Sequence, residues 1–114
     1  MVKQTIETKL VDFYVPKVKK VKIPKSEYDA IYELFNSVGK DPKEFYTPDN
    51  EGKIKIQDNR IIYLDVRQIG LKSVPESIGN LKNLKLLYLR DNPLNEKSIE
   101  FLKELKEKGV KVIY

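Results

Sequence analysis

The sequence predicts an α/β fold: a short solenoid of parallel strands, with a helix and hairpin capping one end and a helix and strand closing the other. Three observations carry that prediction. Apolar pairs recur at a fixed offset, since Leu64/Val66, Leu87/Leu89 and Val110/Val112 each follow the last by 23 residues. Ile61 and Leu84 repeat that offset, as do Leu71 and Leu94. An amphipathic helical segment precedes the repeats, and 114 residues that are 40% hydrophobic are enough for one domain with one modest core.

The chain divides into three segments within a single compact domain: a basic strand segment at 1–25, a cap at 26–60, and repeats with a closing unit at 61–114. The first has β-type composition with broken alternation: Ile6, Leu10, Phe13, Val15, Val18, Val21 and Ile23, punctuated by Pro16 and Pro24. Proline favours an edge or a strand boundary because it donates no ladder hydrogen bond, so one or two strands are expected.

SEYDAIYELFNSVGKDP follows. Ser26 is a suitable N-cap and Asp29 completes a capping-box pattern. Tyr28, Ile31, Leu34, Phe35 and Val38 form one helical stripe, and Gly39 then Pro42 end it. A polar loop covers 40–52. KIKIQ at 53–57 and IIYLDV at 61–66 both alternate, and Asp58-Asn59 between them predicts a hairpin. TPDNEGKIKIQD at 47–58 has a superficial calcium-loop spacing. It lacks the acid at the first position and the Glu at the last, and a strand follows where a helix is needed. An Asn/Gly turn accounts for the same residues.

The most regular stretch is LLYLRDNPL at 86–94, preceded by Leu84. It resembles the strand segment of the leucine-rich-repeat family, L-x-x-L-x-L-x-x-N-x-L. LKSVPESIGNLKNL at 71–84 resembles the return path of that unit, and SIEFLKELKEKGVKVIY a closing unit with a regular helix. The resemblance spans 61–114. It implies three stacked rungs, with Leu64, Val66, Leu87, Leu89, Val110 and Val112 inward and Leu71, Val74, Ile78 and Leu81 behind them. It further implies that Asn92 turns in to bond backbone groups, although the equivalent position one repeat earlier is Ile69. Asn95 is suited to cap a last helix carrying Ile99, Leu102 and Leu105, with Gly109 ending it.

In that arrangement the outward residues stack as Tyr63/Leu86/Gly109, Asp65/Tyr88/Lys111 and Arg67/Arg90/Ile113. Tyrosine and arginine are typical interface anchors. The resemblance therefore implies a non-catalytic protein-interaction module binding through Tyr63, Asp65, Arg67, Tyr88, Arg90 and Lys111. Ordinary exposed strand residues chosen for β-propensity explain the same pattern. Three strands about 4.8 Å apart give a face only about 10 Å wide, small for a lone binding surface.

The charge offers a second reading. Of the net +5, all lies in residues 1–25, where seven lysines face Glu7 and Asp12, while 26–114 hold 15 basic and 15 acidic side chains. Lys17, Lys19, Lys20, Lys22 and Lys25 suit a polyanion, either nucleic acid or an acidic membrane surface. They equally suit a lysine-guarded edge strand. A third reading is self-association, with unpaired edge strands pairing two copies into a homodimer.

With no Cys and no His, thiolate nucleophiles, disulfides and the commonest metal ligands are excluded. The carboxylates show no paired spacing, and Gly70 and Gly79 form no phosphate loop. No enzyme activity, cofactor or metal is expected. The start of the chain lacks an apolar export core, and no run approaches the length of a membrane helix, so a cytoplasmic, non-transmembrane protein is expected. Lysine and glutamate dominance without cysteine points to a thermophilic source.

Overall fold

A computed structural model describes residues 9–14 and 20–114. Lys17 and Lys19, with Ile6, Val15, Pro16 and Val18 of the first segment, lie outside the described residues. Strands β1 (Leu10–Tyr14) and β2 (Val21–Pro24) pair antiparallel, with an irregularity between Asp12 and Tyr14. Their apolar residues Phe13 and Ile23 are fully buried, while Lys20 and Lys22 stay at the surface beside Asp12.

Helix α1 (Lys25–Asn36) starts one residue before the expected cap. Pro24 occupies the cap position without a side-chain bond, and the Lys25 N–H donates instead to the Lys9 carbonyl at 2.7 Å. Ser26 therefore lies inside the helix rather than at its cap, and Asp29 pairs with Lys25 one turn back at 2.8 Å. The helix buries Ala30, Ile31, Leu34 and Phe35. Past its end Gly39 takes φ +70°, and the Lys40 N–H closes onto the Phe35 carbonyl.

Strands β3 (Ile54–Gln57) and β4 (Arg60–Asp65) form the expected hairpin. Asp58 and Asn59 both have positive φ, 52° and 62°, the primed turn whose twist matches a two-residue hairpin. Strands β5 (Leu86–Tyr88) and β6 (Lys111–Ile113) extend the sheet in the order β3-β4-β5-β6, with β4, β5 and β6 parallel. Between β5 and β6 lies α2 (Glu96–Glu107), capped by the Asn95 side chain, which accepts from the Ser98 N–H at 2.8 Å.

The leucine-rich-repeat solenoid is not what the chain builds, and the family resemblance, the α/β solenoid class and its capping scheme are all corrected. The molecule is an α+β globule with a two-stranded antiparallel sheet and a four-stranded sheet of mixed direction. A solenoid stacks like units, each touching only its neighbours. Here β3 turns back antiparallel along the flank of β4, where another parallel unit would stack. Helix α1 packs on the 3-10 turn Glu76–Asn80, where the Ser77 hydroxyl donates to Glu33 at 2.7 Å. The radius of gyration, 13.9 Å, is close to the roughly 13 Å of a compact domain of this length.

The register of β6 is a second correction. Leu64 pairs with Leu87, an offset of 23, but Leu87 pairs with Val112, an offset of 25. An α-helix rises only about 1.5 Å per residue, so the α2 connection uses more residues than the irregular path before β5. Val112 is buried as expected, while Val110 is only partly so. One hydrophobic cluster joins Phe13 and Ile23, the α1 stripe, Leu64, Leu87 and Val112 of the sheet, and Leu71, Val74, Ile78, Leu81, Leu102 and Leu105 behind it.

Asn92 does turn inward. Its Oδ1 accepts from the N–H groups of Ile69 (3.1 Å) and Leu71 (3.0 Å). Its Nδ2 donates to the carbonyls of Val66 and Leu89, both at 2.8 Å. One amide thus ties the exit of β4 to the exit of β5.

Candidate functional site

Strand alternation gives the four-stranded sheet one face packed on the core and one open to solvent. Across the open face run two rows. The first is Lys55, Tyr63, Leu86 and Lys111, one residue from each strand. The second is Lys53, Asp65, Tyr88 and Ile113, joined where the Asp65 N–H donates to the Lys53 carbonyl at 2.8 Å. Arg67 and Arg90 continue β4 and β5 beyond them, with the Gln68 N–H donating to the Arg90 carbonyl at 3.0 Å. The register shift in β6 therefore moves Lys111 from beside Tyr88 to beside Leu86, and brings Ile113 to Tyr88.

The predicted residues gather on this face, but not in equivalent roles. Asp65 is only 3% exposed. Its carboxylate accepts from Arg67 Nε at 3.0 Å and Arg67 Nη2 at 2.9 Å, a two-point clamp, and from the Arg67 N–H at 3.2 Å. Burial pushes the Asp65 carboxyl up, but the Arg67 bonds, its charge and that of Lys53 outweigh this and hold it below its ordinary value. Asp65 is thus a support for Arg67, rather than a charge offered to a partner.

The clamp positions Arg67 over the Tyr88 ring, 4.2 Å from its centroid. Lys55 lies over the Tyr63 ring at 4.8 Å. Both tyrosines are half-buried, each with a cation against one face. Arg90 and Lys111 are exposed at two borders. Lys53 and Lys55 belong to this surface although they were not among the predicted residues. The alternation of KIKIQ and the two-residue turn alone would set Lys55 opposite Ile62; a register irregularity between Lys55 and Ile56 brings it opposite Tyr63, and no sequence signal gives that shift.

The described part of the leader offers less. Lys20 and Lys22 both reach Asp12, at 3.9 and 3.8 Å, and Lys25 is paired with Asp29. Each of these three lysines thus has a carboxylate partner nearby. The short β6 edge remains exposed, flanked by Lys111 and Tyr114.

A further charged group had no sequence signal. Glu27 of α1 has no exposed surface; it accepts from the Ile61 N–H at 2.9 Å and from Arg60 Nη1 at 3.2 Å. It ties the helix to the start of β4. Burial pushes its carboxyl up, against the Ile61 bond and the Arg60 charge. The polar residues of the calcium-like stretch are occupied with their own backbone. Asn50 accepts from the Ile56 N–H at 2.9 Å and donates to its carbonyl at 3.1 Å, and Asp49 accepts from Thr47 and from the Glu51 N–H.

Two open depressions, of about 330 and 230 Å³, are lined by Gln57, Asp58, Ile62 and residues 82–85, and by residues 73–76 with Lys97, Ser98 and Phe101. Each is lined by a single carboxylate, so neither presents an acid/base pair. Among the described residues no helix is long and apolar enough to cross a membrane. No family model, curated protein or solved structure matches the chain.

Proposed function

We propose that this chain is a non-catalytic protein-interaction module that binds through the open face of its four-stranded sheet. The observation that carries the reading is the pair of tyrosines held by cations, Tyr63 under Lys55 and Tyr88 under Arg67, with Arg67 itself locked by Asp65. Side chains fixed before contact lose little further freedom on binding, which favours affinity per unit area. The four-stranded sheet is also wider than three rungs, about 14 Å between outer strands at a spacing of about 4.8 Å.

The reading is tested by selecting displayed peptides on the wild-type protein and on a Tyr63→Ala/Tyr88→Ala variant shown by circular dichroism to be folded. Peptides enriched by the wild type should lose most of their binding to the variant. Equal binding to both proteins would refute the strand face as the site.

A further inference from the structure

We infer that the partner taken by this face is an acidic peptide segment in extended conformation, with two carboxylates flanking an apolar residue. The inference rests on the strand-face reading above and gives it a chemical partner. Five cations, Lys53, Lys55, Arg67, Arg90 and Lys111, lie in or beside the two rows, and the carboxylate within those rows is Asp65. Asp65 is consumed by Arg67. Among the described residues no carboxylate lies within ion-pair reach of Lys53, Lys55, Arg90 or Lys111. The body of the chain, residues 26–114, is neutral overall with 15 basic and 15 acidic side chains, so the excess here is local rather than general.

The arrangement of these charges limits what they can hold. Lys55 and Lys111 end the same cross-strand row, with Tyr63 and Leu86 between them. Three strand spacings put their backbones about 14 Å apart. An extended peptide advances about 3.3 Å per residue, so carboxylates four residues apart span about 13 Å. A segment of the form acid-x-apolar-x-acid, laid across the strands, brings one carboxylate to Lys55 and Lys53 and the other to Lys111. Its central side chain then meets Tyr63, Leu86, Tyr88 and Ile113. Arg90 takes a further acid at the upper border.

Single-stranded nucleic acid fits this surface less well. Bases bind by stacking on open aromatic faces. Tyr63 and Tyr88 each already carry a cation on one face, and beside them lie the aliphatic Leu86 in the Tyr63 row and Ile113 in the Tyr88 row.

The experiment uses the full chain, a library of random peptides of about twelve residues, and an oligothymidylate as the competing polyanion. The wild type should enrich peptides with paired acids around an apolar residue. A folded Lys55→Gln/Lys111→Gln variant should bind them about tenfold more weakly, and raising salt from about 0.1 to 0.5 M should weaken the wild type in the same direction. Enrichment of peptides without an acidic excess, still lost in Tyr63→Ala/Tyr88→Ala, overturns the acidic partner and leaves the strand face standing. Enrichment of nothing, or of peptides indifferent to the tyrosines, overturns both. Oligothymidylate binding that is stronger than the best peptide's and lost in the lysine variant overturns the peptide in favour of nucleic acid.

Discussion

Replacing Asn92 by Ala should destabilise the fold by about 3 kcal/mol, at a contribution of roughly 0.5–1.5 kcal/mol for each hydrogen bond. The figure comes from four bonds of 3.1 Å or less: two N–H groups accepted, from Ile69 and Leu71, and two carbonyls donated to, Val66 and Leu89. A fifth contact, to the Arg90 carbonyl at 3.4 Å, is too long to count. Alanine leaves all four backbone groups without their partner at the junction of two strand exits. Because Asn92 is only half-buried, water recovers part of the loss, and the estimate sits in the lower half of the roughly 2–6 kcal/mol that four such bonds span. Urea unfolding followed by circular dichroism should show a lower midpoint with unchanged slope. In a thermal melt the midpoint should drop by roughly 12 °C, at about 4 °C per kcal/mol for a domain of this size. Asn92→Asp separates the two halves of the amide. Its carboxylate can still accept from Ile69 and Leu71, but it faces the Val66 and Leu89 carbonyls without a proton, so it should be destabilised at neutral pH and partly recover in acid. A loss below about 1 kcal/mol for Asn92→Ala would refute the claim that this side chain joins the strand exits.

Other expectations concern separate parts of the core. Ser98 is 2% exposed and its hydroxyl accepts from the Val74 N–H at 2.8 Å, so Ser98→Ala should lower stability by about 1–3 kcal/mol in the same urea assay. A Cβ on Gly52 would lie 2.8 Å from the Phe45 carbonyl oxygen, a backbone atom, so Gly52→Ala should destabilise by about 1–3 kcal/mol. The two buried carboxyls should give opposite pH dependences. Glu27 has a folded pKa above its ordinary 4.5, so the folded state binds its proton more tightly and its contribution falls as pH rises through the raised value. Glu27→Gln should flatten that fall in unfolding measured across weakly acidic to neutral pH. Asp65 has a folded pKa below its ordinary 3.8, so its contribution is present above that value and lost as pH falls through the lowered one. Asp65→Asn should remove the acid-side loss and also free Arg67 from Tyr88, visible as a change in tyrosine near-ultraviolet dichroism.

Much of the local structure was legible residue by residue. The period of two in KIKIQ and IIYLDV, with Asp58-Asn59 between, predicted a hairpin, because Asp and Asn tolerate the positive φ that so tight a turn requires. Asn95 and Gly109 bracketed α2 for equally local reasons. The 23-residue recurrence correctly aligned Tyr63 with Leu86 and Asp65 with Tyr88. It failed one strand later because periodicity counts residues, whereas strand pairing depends on distance travelled. It also invited a solenoid, since a short array of similar strands has the same local pattern whether or not further units can stack on it.

The sequence by itself determined which segments become strands and helices and which of their residues seek the interior, because those follow from neighbours within a few residues. It determined too that chemistry based on thiols or imidazoles is absent. Only the tertiary structure decided that the sheet is mixed and closed by α1 and the β1-β2 pair, and that Glu27 is buried against Arg60 and Ile61. It also decided that Asp65 supports Arg67 while Lys53 and Lys55 join the tyrosines on the open face. Those outcomes depend on contacts between residues far apart in the chain, where burial and charge pairing are set by geometry that no local pattern carries.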